Sequence, residues 1–81
     1  MTPHFERAFR KRSPPLQRLA NDRDRLFRAN AFDPRLKTHT LKGQLKELWA
    51  YSVDYRHRVL FEFLSADHVL YHDIGPHAMY R

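Results

Sequence analysis

The hydrophobic positions change their period once along the chain. Up to residue 30 they recur at helical spacing, and after residue 47 they alternate. Phe5, Ala8 and Phe9 stand at i, i+3 and i+4, one narrow apolar stripe of a helix. Thr2 followed by Pro3 reads as its start, a hydroxyl cap and then a proline at the first helical position. The helix is expected to end by Ser13, because Pro14 disfavours helical geometry in its predecessor. A second helix is predicted from about Pro15 to Asn30. Leu16, Leu19, Ala20, Leu26 and Phe27 line one face of it, while Arg18, Asp22, Arg25 and Arg28 fall largely on the other. Together the two read as a helical hairpin with a short proline joint.

Asn30 can close the second helix, and Asp33-Pro34 favours a turn. The stretch from Arg35 to Gly43 is polar and basic. Then Trp49, Tyr51 and Val53 alternate with Leu48, Ala50 and Ser52. The polar turn Asp54–His57 leads into the run Arg58–Leu64, and Ser65–Asp67 leads into His68–Ile74. Short turns between β-rich runs predict an antiparallel meander, stopped by Gly75-Pro76. Val59–Leu64 is apolar enough for a central strand covered on much of both faces, and Trp49 reads as core. The order helix, helix, strands gives an α+β fold: an N-terminal helical hairpin packed on one face of a small antiparallel sheet of three to four strands. At 81 residues, 1–81 is expected to be a single domain.

Composition narrows the function. The net charge is +6, and the chain has no cysteine. Disulfides, thiolate metal sites and cysteine nucleophiles are therefore excluded, and a reducing cytosol fits. No apolar run approaches the roughly 20 residues that span a bilayer, so no membrane partner is expected. Met1–Arg12 lacks the apolar core of a signal peptide. Residues 1–47 carry twelve Lys/Arg against five Asp/Glu, a net of +7, whereas residues 48–81 net −1. This asymmetry points to a polyanion or an acidic protein, although a solvated basic helix surface has the same composition.

Six histidines are the candidate chemistry. His68 and His72 share a strand face about 13 Å apart, too far to grip one ion, and no HExxH spacing is present, so no metal is expected. Proton transfer suits imidazole better. His39, in Lys37-Thr-His-Thr-Leu-Lys-Gly43, and His77, after Ile74-Gly-Pro, each fall in a loop beside a sheet end, where binding groups concentrate. Both positions equally suit solvent-facing loop histidines. Arg56 and Arg58 flank the first hairpin. An arginine there can fork onto phosphate, or pair with Glu62 or Asp54. Tyr80 can stack on a base or cap the core.

The ordered set Phe32-Asp-Pro-Arg-Leu-Lys-Thr-His39, Leu41-Lys-Gly43, Leu48-Trp-Ala-Tyr-Ser, Tyr55-Arg-His-Arg-Val-Leu-Phe-Glu-Phe63, Asp73-Ile-Gly-Pro-His77 and Tyr80 resembles the RelE/ParE superfamily of bacterial type II toxins. It is most similar to the YafQ-like and plasmid-stabilisation branch. The resemblance runs from Phe32 to Arg81, and more loosely over the helical hairpin. It implies two helices on an antiparallel sheet and a cytoplasmic, growth-inhibiting toxin neutralised by a cognate antitoxin. In most branches it implies metal-independent, ribosome-dependent cleavage of mRNA with no cofactor. His39 and His77 match the family's histidines, Arg58 the arginine opening the long strand, and Tyr80 the aromatic after the final histidine, one residue closer than usual. Family members normally begin with a strand before the first helix. Its lack here predicts an open sheet edge.

On this resemblance His77 is the general acid or base and His39 its partner. Arg58 with Lys42 holds phosphate, and Lys37, Arg56 and Lys46 extend the RNA-binding surface. Tyr80 is a stacking or auxiliary group, and Asp54 or Asp73 orients a histidine. An acidic antitoxin segment is expected over the Arg-rich helices and the site, with mRNA and ribosome as the other partners. Two readings remain beside it: a ParE-like inhibitor of DNA gyrase, which needs no histidine pair, and an inactive, truncated remnant that only binds.

Overall fold

The computed structural model describes residues 1–41 and 48–76. Helix α1 spans Pro3–Arg10 and helix α2 spans Pro14–Ala29. The first begins as the sequence predicts, and both are capped by a hydroxyl. The Thr2 hydroxyl accepts the Phe5 amide at 3.1 Å, and the Ser13 hydroxyl accepts the Leu16 amide at 3.4 Å. The second helix starts one residue earlier than expected. With Ser13 as its cap, Pro14 and Pro15 both fall in the first turn, where no backbone N–H is needed. Gln17 ties the hairpin together: its side-chain amide lies 3.1–3.3 Å from the carbonyl oxygens of Phe9, Arg10 and Arg12 at the end of α1 and in the joint after it.

A 3-10 turn, Pro34–Leu36, follows, capped by Asp33. Four antiparallel strands then form a meander: β1 His39–Thr40, β2 Trp49–Ser52, β3 His57–Ser65 and β4 His68–Pro76, in spatial order β1-β2-β3-β4. The sequence reading treats residues 35–43 as a polar loop. Instead the segment holds the 3-10 turn, the short β1 and two core leucines, Leu36 and Leu41. Isolated leucines carry no period, so the pattern could not show them.

The main core lies between the helices and one face of the sheet. Phe5, Leu16, Ala20 and Phe27 meet Tyr51, Val53, Val59, Phe61, Tyr71 and Ile74. The Phe27 ring sits 4.8 Å from that of Tyr51 and 4.9 Å from that of Phe61, centroid to centroid. Tyr71 and Ile74 are three residues apart yet both face the helices. A bulge makes this possible: Leu60 opposes Asp73 while Phe61 opposes Tyr71, which leaves His72 as the extra residue. The opposite face carries a smaller apolar cluster of Leu41, Ala50 and Leu60, with Leu48 against it. β3 is therefore covered on both faces over Val59–Phe61 only. Phe63 is half-buried and Leu64 exposed, because the strand runs on past the helices. Trp49 is also only partly buried, against Phe32, Phe61 and Phe63.

The edge expected to be open is that of β4. Part of it is occupied: the Thr2 amide donates to the Tyr71 carbonyl at 3.1 Å, and the Thr2 hydroxyl donates to the His72 carbonyl at 3.3 Å. α1 packs beside the same strand. Among the described residues no helix is long and apolar enough to cross a membrane.

Candidate functional site

Register assigns the candidate residues to a sheet face. Directly paired residues in an antiparallel ladder point the same way. His39, Ala50, Leu60 and Asp73 form one cross-strand row on the face away from the helices. Ser52, Arg58 and Gly75 form the next row on that face. His39 and Arg58 thus share a face, separated by two strand spacings, roughly 10 Å across the sheet, and one row along it.

His39 is exposed, and its Nδ1 lies 2.8 Å from the Lys37 carbonyl oxygen. A carbonyl only accepts, so Nδ1 carries the proton. The neutral ring then presents the lone pair of Nε2, the form of imidazole that takes up a proton. The backbone builds this arrangement through Lys37, which adopts the left-handed region at φ 53° and turns the chain from the 3-10 helix into β1. Lys37 itself is exposed.

The other described histidines differ from His39 in having carboxylate neighbours. His4 Nε2 is 3.2 Å from Asp73, His57 Nδ1 3.0 Å from Asp54, His68 Nδ1 3.2 Å from Asp67, and His72 Nε2 3.0 Å from Glu62. Asp54 and Asp73, expected to orient a catalytic histidine, contact His57 and His4 and not His39, while His77 lies outside the described residues. Asp54 Oδ1 also accepts the amides of Arg56 and His57, at 2.9 and 2.7 Å. Burial alone pushes the Asp54 carboxyl up. The hydrogen bonds from His57 and the two amides outweigh it and hold the group below the usual carboxylate range.

Arg58 makes neither of the ion pairs weighed for it. Its Nη1 donates to the carbonyl oxygens of Asp54 at 2.9 Å, His57 at 3.2 Å and Tyr55 at 3.4 Å, bracing the β2–β3 turn. Glu62 is engaged by His72 instead. The guanidinium charge therefore meets no carboxylate among the described residues. Among the described residues Arg58 Nε is buried without a hydrogen-bond partner, as is the hydroxyl of Ser52 directly opposite. A half-buried arginine whose charge is not neutralised, next to a buried orphan hydroxyl, is a place where an anion gains binding energy. Ser52 was not singled out from the sequence; a small polar residue inside an apolar strand was the only signal. Arg56 is exposed at the tip of the turn, beside Tyr55.

His77, Tyr80, Lys42 and Lys46 lie outside the described residues. The last described pair of the sheet is Pro76 with His57, next to Arg58 and Gly75. The structure therefore brings His39, Arg58 and Ser52 onto one face and leaves Arg56 on the adjoining turn.

No protein-family model matches this sequence, and no curated protein matches it. A solved structure, the copper-bound mutant toxin from Helicobacter pylori, superposes with a TM-score of 0.72 over 99% of this chain and 93% of that one, at 16% identity. Two helices on a four-stranded antiparallel sheet are thus an arrangement this chain shares with a bacterial toxin.

Proposed function

We propose that this chain is the toxin of a bacterial toxin–antitoxin pair, of the RelE/ParE type and nearest its YafQ-like branch, and that it cleaves mRNA on the ribosome without a metal ion. The observation that carries the proposal is the shared sheet face of His39 and Arg58, where among the described residues the His39 Nε2 has no partner and the Arg58 charge meets no carboxylate. The likeness in fold to a toxin supports the same reading.

In this reaction a base removes the proton of a ribose 2′-hydroxyl. The 2′-oxygen then attacks the adjacent phosphorus and the P–O5′ bond breaks. An acid protonates the departing 5′-oxygen, leaving a 2′,3′-cyclic phosphate and a 5′-hydroxyl. His39 and His77 share the two proton transfers, each contributing about 10²–10⁴-fold. Arg58 and Lys42 stabilise the added negative charge on the phosphoryl oxygens, and Tyr80 is the base stack. Lys37, Arg56 and Lys46 hold flanking phosphates. The ribosome supplies substrate geometry, and a cognate antitoxin with an acidic segment blocks the basic surface.

The test is induction in a bacterial host, followed by growth and by mapping of mRNA ends. Expected are growth arrest and new 5′-hydroxyl ends within translated messages. His77→Ala and His39→Ala are expected to relieve the arrest while the protein stays folded. Arrest with intact mRNA and DNA-damage signalling would move the target to gyrase, and unimpaired growth would remove the toxin role.

A further inference from the structure

A second basic feature lies outside the sheet face. Along α1 and the residue pair that ends it, His4, Arg7, Lys11 and Arg12 recur on one helical face and form one wall of a cleft of about 290 Å³. The other wall is the end of β4, from Asp73 to Pro76. Arg7 and Lys11 are exposed, and neither forms an ion pair among the described residues. Arg12 is partly engaged, its Nε donating to the Ala8 carbonyl. The single carboxylate in the lining, Asp73, is already occupied: it accepts the Ile74 amide at 2.8 Å and faces His4 Nε2 at 3.2 Å. Among the described residues the cleft therefore keeps an excess of positive charge.

Its position gives that charge a use. Gly75 lines the cleft and is also the residue paired with Arg58 in the sheet. Paired residues lie about 5 Å apart, so the cleft and the Arg58 row adjoin across one strand spacing. Resting on the nuclease reading, we propose that the α1–β4 cleft binds the sugar–phosphate backbone of the RNA, next to the link being cut. Arg7 and Lys11 are its phosphate contacts, and the strand continues over Gly75 to Arg58. A polyanion with regularly repeated charge suits a row of cations one helical turn apart, and the contacts carry no sequence information.

The probe is a fluorescent single-stranded RNA with 2′-O-methyl riboses, which cannot be cleaved. Binding to it is therefore independent of whether the chain is a nuclease. Affinity is measured against salt for the full chain, for the double variant Arg7→Glu/Lys11→Glu, and for Arg18→Glu/Arg25→Glu, which makes the same charge change outside the cleft. Each lost phosphate contact is expected to flatten the log–log salt slope by about 0.7, so the cleft variant should lose about 1.4 and the control much less. Arg7→Gln/Lys11→Gln removes the charge without reversing it and should show the same loss, with circular dichroism and thermal melting confirming the fold. Equal slopes in the cleft and control variants overturn the proposal. So does a wild-type chain that fails to bind the RNA. An acidic peptide, poly-glutamate, that is lost on cleft substitution while RNA binding is unchanged would overturn it in favour of an antitoxin surface. A wild-type chain that leaves mRNA uncut in cells, while its RNA binding still shows the cleft-dependent salt slope, counts against the nuclease reading alone.

Discussion

At the scale of single residues, hydrogen bonds sort groups that look alike in the sequence. Five described histidines include four beside carboxylates, and His39 alone among them rests on a carbonyl. No spacing rule could separate them, because His4–Asp73 and His72–Glu62 are brought together only by packing. Two carboxyls have local partners that the sequence already places close by. Asp33 is held at about 2 by hydrogen bonds from the Arg35 side chain and amide, and Asp54 is held below its usual range within its turn. A carboxylate with a depressed folded-state pKa stabilises the fold fully above its unfolded value of about 3.9, and that contribution disappears as pH falls through the folded value. Stability is therefore expected to fall between about pH 4 and pH 2, measured as the urea midpoint. The double variant Asp33→Asn/Asp54→Asn should decline less steeply over this range; an unchanged pH profile would locate the acid sensitivity elsewhere.

At the scale of elements, α2 anchors the molecule through Phe27, buried against Tyr51, Phe61 and Tyr71. Phe27→Ala is expected to cost about 3–5 kcal/mol in chemical unfolding, because the three aromatic rings around it cannot collapse into the space it leaves. A loss below about 1 kcal/mol would mean that α2 is not docked as described. Beneath it runs a polar chain: the Tyr71 hydroxyl donates to Asp24 at 2.7 Å and lies 3.0 Å from that of Tyr51, while Asp24 pairs with Arg28 at 2.9 Å. Burial pushes both tyrosine hydroxyls up, so they remain neutral donors. The Thr2 cap, the Asn30 close of α2 and a turn at Ser65–Asp67 were legible, since each depends on neighbours in sequence; β3 runs on to Ser65, so the turn is one residue shorter than expected. The bulge at His72 was not. It is fixed by the need to turn both Tyr71 and Ile74 toward the helices, and alternation alone would have turned one of them outward.

At the scale of the whole molecule, a small domain with a uniformly basic N-terminal half is stabilised by whatever neutralises it. A ligand present at 100 times its dissociation constant adds about 2.7 kcal/mol to the folded state. The uncleavable RNA is expected to raise the urea midpoint at low salt and to lose that effect as salt screens the contacts. A midpoint indifferent to RNA at low salt would count against nucleic acid as the partner. The sequence by itself determined two helices ahead of the strands, the start of the first helix, the antiparallel meander and the location of charge, because capping, periodicity and turn chemistry act over a few residues. Only the tertiary structure decided that His4 meets Asp73 and His72 meets Glu62, that Leu36 and Leu41 are core, and that α1 sets its cations against the end of β4. Those outcomes join residues far apart in the chain, and they follow from the strand register and the packing of the helices, which no local pattern encodes.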